Sequence, residues 1–420
     1  MQEVVIISAV RTLIGAYCGS LRDLAVEKLG AIVLNAAIER VGVRAEEIDE
    51  VILGQAFSNG ESPNLARLAL LEAGWPVEIP GMTIDMRCCA GLQSVWSAAM
   101  AIETGNAEVV LAGGAESMSR AEFYIPGEFM KWGVGGRQDP KWGFFPRHHG
   151  SLSLWGLPFY DRIQRGRPMH QPIEKFGELN SMMAWAETAA REEGITREEV
   201  DRWALGSHEK AIKAIDSGIF KEEIVSISIS KKGGEEIFDT DETPRRDTSM
   251  ERLSRLRPLY PDGVCTAGNS SSENDAAAAL VVTTTQKAKE HNAKPMVYLR
   301  AFGVAGADPR LTYPAVPAAV EKALKKADLT IDEIDLIEIQ EAFAAQTLAD
   351  AKLMGVRKED LDSKVNVNGS GISLGHPIGA TGAARLTTLV HEMARRDARY
   401  GLLTICGGGG LGICGIVERK

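Results

Sequence analysis

Short apolar runs alternate along the chain with segments of helical periodicity. Residues 4–7 are a continuous apolar run typical of a strand, and residues 26–41 have the spacing of an amphipathic helix. A second pair follows, with an apolar run at 48–53 and a helical segment at 65–73. This alternation predicts α/β layers around a mixed, largely parallel sheet.

The pattern also repeats within the chain. Residues 47–57 and 333–343 share the beginning Glu-Ile-Asp and the end Ala-Phe, and residues 109–114 resemble 403–408. Between these matches, Cys88-x-x-Gly91 corresponds to His376-x-x-Gly379. Because the matches keep their order and nearly their separation, we interpret them as one αβ unit used twice. If the halves pack about a pseudo-twofold axis, the turns with Cys88 and His376 meet at their interface.

The middle of the chain has a different character. Residues 131–167 are rich in aromatic, Gly, Pro and Arg residues without sustained periodicity, and amphipathic helices are predicted near 181–193 and 197–215. Long ordered loops of this kind usually serve a function. We therefore expect a first half at 1–118 with 273–294, a loop domain at 119–272, and a second half at 295–420.

Composition narrows the possible classes of protein. With 420 residues, 45% hydrophobic and 25% charged, the chain is long enough for two or three packed domains. A net charge of −10 argues against a nucleic-acid binder, so local arginines must hold any anionic ligand. No apolar stretch approaches the roughly 18 to 20 residues of a membrane helix. With no secretory, transit or peroxisomal signal evident, we expect the protein in the cytoplasm.

The cysteines indicate free thiols. Six are too few for a disulfide scaffold, and the adjacent Cys88 and Cys89 are poorly placed to bridge. Neither a Cys-x-x-Cys pair nor a His-x-x-x-His spacing is present, and His148-His149 has no obvious third ligand. We therefore expect no metal site.

Cys88 is the first candidate for chemistry. It stands in Arg-Cys-Cys-Ala-Gly-Leu-Gln at 87–93, at a predicted junction of strand and helix. A helix N-terminus stabilises a thiolate and binds a developing oxyanion. The alternative is a buried, inert cysteine. Two further segments favour the reactive interpretation.

His376 lies in the glycine-rich segment 366–382, where the backbone must approach other atoms closely. An imidazole held there can take the proton of a nearby thiol. A structural histidine is the alternative, but the glycine density and the fixed Pro377 disfavour it.

Cys406 ends the apolar run 402–405 and is followed by four glycines. Their successive N–H groups can form a nest for an enolate or a tetrahedral oxyanion, beside a thiol that moves a proton. A dinucleotide-binding loop is the alternative. The spacing is not the G-x-G-x-x-G before a helix that such a loop needs.

These segments, together with 4–12, 112–119, 266–269 and 340–343, resemble the thiolases, coenzyme A-dependent acyltransferases that make or cleave 3-oxoacyl-CoA. The resemblance implies an α/β thiolase fold, a duplicated αβαβα layered core of two similar halves with a loop domain inserted in the first half. It also implies coenzyme A or acetyl-CoA as a substrate, no permanently bound cofactor, and a homodimer or homotetramer. The loop domain would bind coenzyme A, shape the acyl pocket and form subunit contacts.

The resemblance assigns roles to five residues. Cys88, rather than Cys89, would be the nucleophile that becomes acylated, and His376 would deprotonate it. Cys406 would be the acid or base for the enolate of acetyl-CoA. The N–H groups of Cys88 and Gly408 would form one oxyanion hole, and His376 with a water held by Gln340 would form the other.

Substrate contacts are assigned in the same way. Arg245 matches the arginine that meets the nucleotide of coenzyme A, and Arg252 is expected to reach a phosphate as well. Exposed arginines without a ligand are the alternative for both. Ser271 matches the serine beside the pantetheine arm, and Phe343 is expected at the substrate pocket.

The chain departs from the family pattern at several positions. Gln340 replaces the usual Asn, which moves the amide by about one carbon–carbon bond. Ser272 and Glu273 put polar groups beside the pantetheine tunnel. Ser181 stands where biosynthetic acetoacetyl-CoA thiolases carry a histidine, and the segment before it is longer. We therefore expect a substrate other than acetoacetyl-CoA.

The sequence thus predicts an acyl-CoA:acetyl-CoA C-acyltransferase that cleaves or forms a 3-oxoacyl-CoA through an acyl-Cys88 intermediate. One alternative is a ketosynthase-like condensing enzyme, which Cys406 disfavours because such enzymes lack a second cysteine. Another is a non-catalytic acyl-CoA or lipid-binding homologue, motivated by Gln340. Acyl chain length, branching, aromatic character and the physiological direction are left open.

Overall fold

The structure is a computed structural model and describes residues 3–125, 151–154, 157–166, 171–177, 182–231 and 234–420. Most of the predicted aromatic loop, His148-His149 and Ser181 lie outside the described residues. All six cysteines are free. None of the helices in the described ranges has the length and apolar character to cross a membrane.

The strands are β1 (Val4–Thr12), β2 (Gly15–Ala16), β3 (Glu50–Gly54), β4 (Gly81–Ile84), β5 (Val109–Ser117), β6 (Phe123–Tyr124), β7 (Ser151–Leu154), β8 (Leu157–Asp161), β9 (Ile224–Val225), β10 (Ile227–Lys231), β11 (Gly234–Phe238), β12 (Asn274–Thr284), β13 (Val297–Gly306), β14 (Leu336–Ile339), β15 (Tyr400–Gly407) and β16 (Leu411–Glu418). The helices are α1 (Val26–Glu39), α2 (Leu65–Glu72), α3 (Ala90–Glu103), α4 (Arg162–Gly166), α5 (Ile173–Phe176), α6 (Met182–Glu193), α7 (Arg197–Asp216), α8 (Met250–Ser254), α9 (Thr285–Glu290), α10 (Ala315–Ala327), α11 (Ala344–Leu353), α12 (Leu361–Lys364), α13 (Gly371–Leu374) and α14 (Thr381–Arg396).

The elements predicted from periodicity are present within a few residues of their expected ends. The apolar run at 4–7 begins β1, and α1, α2 and α7 match the predicted helices. Local capping explains where α7 begins. The Thr196 side chain accepts a bond from the Glu199 N–H at 3.3 Å, and the Glu199 carboxylate accepts the Thr196 N–H at 2.8 Å. This reciprocal pair satisfies donors that the first helical turn leaves unpaired.

The main sheet shows the predicted duplication directly. Its strands run in the order β14-β15-β16-β13-β1-β12-β5-β3-β4, with β2 and β9 attached to the side. Outward from the boundary between β13 and β1, the order β13, β16, β15, β14 mirrors β1, β12, β5, β3. The two repeated sequence segments therefore occupy equivalent places in the two halves.

The sheet is mixed, as predicted, but the expectation of a largely parallel sheet was wrong. The central ladders, which join β5 to β12, β12 to β1, β1 to β13 and β13 to β16, are all antiparallel. Parallel pairing is found toward the edges, between β14 and β15 and among β3, β4 and β5. Helices cover both faces, so the antiparallel strands carry the continuous apolar runs that usually indicate parallel ones.

The core is divided into layers. Apolar residues of α3 and α14 form a central cluster with strands from both halves. The helices α1 and α2 cover the outer face of the first half, and α10 and α11 cover the outer face of the second. This arrangement, with two similar halves packed around a shared layer of helices, agrees with the predicted layered fold.

Helix α7 ties the middle of the chain to the second half through one buried carboxylate. Glu341 accepts hydrogen bonds from Trp203 Nε1 at 2.9 Å and from Ser207 Oγ at 2.7 Å. It also accepts bonds from Asn366 Nδ2 at 3.0 Å and from the Ile372 N–H at 3.1 Å.

The predicted domain boundaries stay a prediction, although β12 does lie between β1 and β5.

Candidate active site

Cys88 lies where the first half meets the second. The 3-10 turn Arg87–Cys89 leads from β4 into α3, and Arg87 has a φ of 54°. A non-glycine residue in this left-handed region carries backbone strain of the kind found at functional sites. Cys88 itself is only 2% exposed, at the N-terminal end of α3. The nucleophile predicted from the sequence is thus placed at a helix N-terminus.

A short hydrogen-bonded chain connects Cys88 to the second half. His376 Nε2 lies 3.3 Å from Cys88 Sγ, and His376 Nδ1 lies 2.7 Å from Thr381 Oγ1. The Thr381 hydroxyl donates its single hydrogen to the Pro377 carbonyl at 2.8 Å. Thr381 must therefore accept from Nδ1–H, which leaves the lone pair of Nε2 facing the thiol. In this tautomer His376 can act as a general base toward Cys88.

Burial keeps both members of this pair neutral at rest. It raises the pKa of Cys88 to about 11, although the N–H groups of Gly408 and Cys88 itself and the Arg87 charge act in the opposite direction. Burial, and to a lesser extent the Arg385 charge, lowers the pKa of His376 to about 3. His376 therefore becomes charged only when the Cys88 thiol proton is transferred to it during the reaction.

Gly408 belongs to the tight turn between β15 and β16. Gly407 pairs with Leu411 across this hairpin, and Gly409 and Gly410 have φ values of 89° and 81° that favour glycine. The turn directs the Gly408 N–H toward the Cys88 sulfur. One N–H group of the predicted nest thus faces the nucleophile.

Cys406 ends β15, which packs against the Arg87–Cys89 turn. It is 4% exposed, and burial, followed by the neighbouring Cys88, raises its pKa well above the ordinary value. The Cys406 side chain lines a small gap of about 20 Å³ and does not line the larger cavity at Cys88. Met182 and Phe343 line both spaces.

Cys89 is placed differently from its neighbour. It is fully buried, with its sulfur 3.7 Å from the Ile405 carbonyl oxygen, and burial raises its pKa well above the ordinary value. This geometry supports the assignment of Cys88 as the nucleophile.

Gln340 does not line the cavity at Cys88. Its Oε1 accepts a bond from Arg385 Nε at 3.3 Å, and its Nε2 lies against Gly371 without a partner among the described residues. The side chain is fully buried. The predicted role of Gln340 in holding a catalytic water stays a prediction, and its oxygen is already engaged.

An apolar cavity of about 370 Å³ opens above Cys88. Cys88, His376 and Gly408 form its base, and Ser271 and Phe343 lie on its wall. The remaining walls are mostly apolar side chains: Phe57, Met118, Ile163, Met182, Met183, Leu259 and Ile378. The structure therefore brings most of the predicted site residues to one cavity.

A polar cleft of about 740 Å³ adjoins this cavity. The two spaces share Ser271, Ser272 and Glu273, and Arg245 lies on the cleft wall with its backbone N–H bonded to His208 Nδ1 at 3.1 Å. Arg252 is not among the described residues that line the cleft, and its side chain pairs with Asp247. The described geometry thus supports Arg245 as a phosphate contact better than Arg252.

Sequence reasoning missed two residues that fix His376. Asn274 Oδ1 accepts the His376 N–H at 2.9 Å, and Thr381 sets its tautomer. Glu116 similarly accepts the N–H groups of Ala56 and Gly379, at 2.9 and 2.8 Å, and so holds the loop after His376. Thr381 and Glu116 stand in the recognised motifs, so their positions were available as a signal.

Two family models match the chain. The model described as the thiolase N-terminal domain matches residues 4–286, and the thiolase C-terminal domain matches residues 293–419. The acetyl-CoA acetyltransferase of Cupriavidus necator is 40% identical over 429 residues, with 100% of both chains covered.

Solved structures agree with this assignment. The Bacillus anthracis acetyl-CoA acetyltransferase has a TM-score of 0.89 and 39% identity, covering 100% of this chain and 99% of that chain. Human mitochondrial 3-ketoacyl-CoA thiolase has a TM-score of 0.89 and 33% identity, with the same coverage. The fold, the paired domains and the full-length relatives lead to one conclusion: the chain belongs to the thiolase family and is an enzyme of the thiolase type.

Proposed function

We propose that this enzyme reversibly cleaves or forms a 3-oxoacyl-CoA through an acyl-Cys88 intermediate. The observation that carries the proposal is the 3.3 Å contact between Cys88 Sγ and the basic nitrogen of His376, at the base of an apolar cavity. A thiol next to a general base is the arrangement that covalent acyl transfer requires.

In the cleavage direction, His376 Nε2 takes the Cys88 proton as the sulfur attacks the 3-oxo carbon. The N–H groups of Gly408 and Cys88 stabilise the oxyanion. The bond between C2 and C3 then breaks, and the enolate of acetyl-CoA takes a proton from Cys406. The proton held by His376 then returns to the Cys406 thiolate. Coenzyme A next attacks the Cys88 thioester as His376 Nε2 takes its thiol proton, and that proton passes to the departing Cys88 sulfur as the shortened acyl-CoA leaves. The first half-reaction breaks a carbon–carbon bond and forms the Cys88 thioester, and the second transfers that acyl group to the thiol of coenzyme A, so water is not needed.

The walls of the cavity support an acyl group larger than acetyl. Ten apolar side chains among the described residues line the space above Cys88, and they suit a hydrocarbon chain. We therefore propose a 3-oxoacyl-CoA other than acetoacetyl-CoA as the preferred substrate. The relatives do not decide this point, because they include both an acetyl-CoA acetyltransferase and a 3-ketoacyl-CoA thiolase. A screen of short, long, branched and aromatic 3-oxoacyl-CoAs in thiolysis would contradict the proposal if acetoacetyl-CoA were the best substrate.

Cys88→Ser should abolish thiolysis, because a serine hydroxyl next to a neutral imidazole is a far weaker nucleophile. Incubation of the native enzyme with acyl-CoA should leave an acyl group on the Cys88 peptide, detected by mass spectrometry. Cys89→Ala is the matched control and should retain the adduct. An adduct on the neighbouring cysteine would disprove the assignment.

Arg245→Ala should raise KM for coenzyme A about tenfold while kcat changes little, since a phosphate contact far from the reacting carbon contributes uniform binding. Arg252→Ala should change KM less, because that side chain is already paired with Asp247. Steady-state kinetics with varied coenzyme A measure both. Equal effects from the two variants would contradict the geometric distinction.

The two alternative activities have separate signatures. A ketosynthase-like enzyme would condense malonyl-CoA and would not release acetyl-CoA. A non-catalytic homologue would bind acyl-CoA without any thiolytic loss of the 3-oxoacyl-CoA enolate absorbance. We propose neither, because the family is shown and Cys88, His376 and Cys406 are all present. A homo-oligomer, a cytoplasmic location and a role in fatty acid metabolism stay predictions.

A further inference from the structure

Two polar side chains are buried in α11 on the far side of Cys406. Gln346 is 5% exposed and Asp350 is fully buried. The Gln346 Nε2 group donates a hydrogen bond to Asp350 Oδ2. The other oxygens of the pair, Gln346 Oε1 and Asp350 Oδ1, have no hydrogen-bond partner among the described residues. The pair therefore has one free polar atom at each end.

This arrangement lowers the stability of the folded chain, which points to a function that offsets the cost. No cation pairs with Asp350 among the described residues, and burial raises the pKa of its carboxyl well above the ordinary value. A buried polar atom without a partner costs free energy that an apolar side chain would not. Local rules broken in this way are expected at functional sites.

The position of the pair connects it to the reaction. Gln346 and Cys406 line the same gap of about 20 Å³, a space of about one water molecule. Gln346 is the one amide among the described residues that line this gap. Asp350 lies close enough that its charge would raise the pKa of Cys406. Only Cys406, of the three proposed catalytic side chains, borders this space.

We propose that Asp350 and Gln346 are positioning residues for Cys406: the Asp350 carboxyl holds the amide so that its free oxygen, which has no partner at rest, accepts the Cys406 S–H when substrate binding tightens the site. The inference rests on the proposed function. An amide oxygen there fixes the direction of the thiol proton, and it destabilises a thiolate that faces it. The thiolate of Cys406 is thereby a stronger base for the α-proton of acetyl-CoA.

The pair should affect only the step in which Cys406 takes part. Proton exchange at the methyl group of acetyl-CoA requires a base at Cys406, whereas acylation of the nucleophile requires Cys88 and His376. Two partial reactions separate these steps. One is the uptake of deuterium from D₂O into the acetyl-CoA methyl group. The other is the exchange of labelled coenzyme A into acetyl-CoA.

Asp350→Val should slow deuterium uptake about tenfold or more, the effect expected when a reacting group loses its alignment. Coenzyme A exchange should stay within about twofold of the native rate, because the Cys88 side of the site is unchanged. The melting temperature should change little, because removal of the unpartnered Asp350 oxygen offsets the loss of the acceptor for Gln346 Nε2. A merely structural role would move stability without separating the two exchange rates.

Conservative and control variants sharpen the test. Asp350→Asn keeps a neutral oxygen that accepts from Gln346, so it should retain at least about half of the native deuterium uptake. Gln346→Leu should lose as much uptake as Asp350→Val. Thr347→Val is the matched control, because within the described part of the chain this buried hydroxyl on the same helix bonds only to the Phe343 carbonyl, at 3.0 Å. It should leave both exchange rates unchanged.

Native deuterium uptake in Asp350→Val would overturn the inference, as would an equal loss of both exchange rates. An Asn variant as slow as the Val variant would also overturn it. Where the Val variant does not fold, Asp350→Asn and Gln346→Leu decide by the same comparison. A native enzyme that performs neither partial reaction would overturn the proposed function itself and this inference with it.

Discussion

At the scale of single residues, the two groups that react first, the Cys88 thiol and the His376 imidazole, are both neutral at rest. The same burial displaces two pKa values in opposite directions, to about 11 for Cys88 and to about 3 for His376. Thr381 and Asn274 then fix the imidazole in one tautomer and orientation. The pair is consequently prepared for proton transfer without a standing charge in a buried place.

The low pKa of His376 predicts a loss of stability in acid. Its folded value lies below the ordinary 6.5, so between these values the unfolded chain binds more protons and the free energy of unfolding falls as pH falls. From pH 6.5 to 5 this one residue should account for about 2 kcal/mol. His376→Gln, which cannot titrate, should show a correspondingly flatter pH dependence. Urea unfolding at several pH values measures it.

The native chain is the reference for that comparison. If both proteins lost stability equally between pH 6.5 and 5, His376 would have to be protonated in the folded state. The neutral resting pair would then be wrong.

Residue types and their spacing were sufficient to predict Cys88, His376 and Cys406 as candidate catalytic residues. The contact between the first two follows from the repeat, which predicted that their turns would meet. The directions of Gln340 and Arg252 could not be foreseen. The Gln340 side chain bonds to Arg385, which is distant in the sequence. The Arg252 side chain pairs with Asp247, which no sequence motif singled out. Their roles stay predictions.

At the scale of elements, two helices meet through glycine. A Cβ built on Gly91 of α3 would lie 2.8 Å from the Gly379 carbonyl oxygen. A Cβ on Gly382 of α14 would lie 2.3 Å from the Leu92 nitrogen. Both helices therefore approach within backbone contact at their N-terminal ends. That approach is what brings the turn of Cys88 to the turn of His376.

Gly382→Ala should force this crossing apart. The added methyl group has no space against the Leu92 backbone, so we expect a loss of about 1–3 kcal/mol in the free energy of unfolding and a larger proportional loss of activity. Gly206→Ala is the matched control, because Gly206 lies inside α7 with nothing within 4 Å of the new methyl group. This control should gain about 0.5–1 kcal/mol. Denaturant unfolding and thiolysis rates measure both, and a stable, active Gly382 variant would contradict the packing argument.

The sequence predicted most elements but not their pairing. Hydrophobic periodicity gave β1, α1, α2 and α7 because each buries a face that its own residues define. Strand direction depends instead on which distant segment lies alongside. Residues 274–284 pair with both 4–11 and 109–117, and no local pattern in any of the three contains that information.

At the scale of the whole molecule, the sheet has an open edge next to the nucleophile. Among the described residues, β4 pairs only with β3, and Met82 on this strand is 41% exposed. A free edge is a ready site for pairing with another chain. The expected homo-oligomer therefore has a specific surface to use, a few residues before Cys88.

Sedimentation at micromolar concentration should give at least twice the mass of one chain. Met82→Lys should shift the distribution toward single chains, because a charge on an edge strand opposes pairing. Leu353→Lys, which changes a leucine of 41% exposure on α11, is the matched control and should leave the mass unchanged. A native chain that sediments singly at every concentration would contradict the prediction.

The place of β12 has a consequence for synthesis on the ribosome. This strand separates β1 from β5, yet it is translated after the whole middle of the chain. Until residue 284 has emerged, the first half is a sheet with a missing central strand and two exposed apolar edges. These edges stay exposed while some 150 residues of loop domain are synthesised, and exposed apolar edges favour aggregation. We therefore expect chaperones to bind the nascent chain during this period.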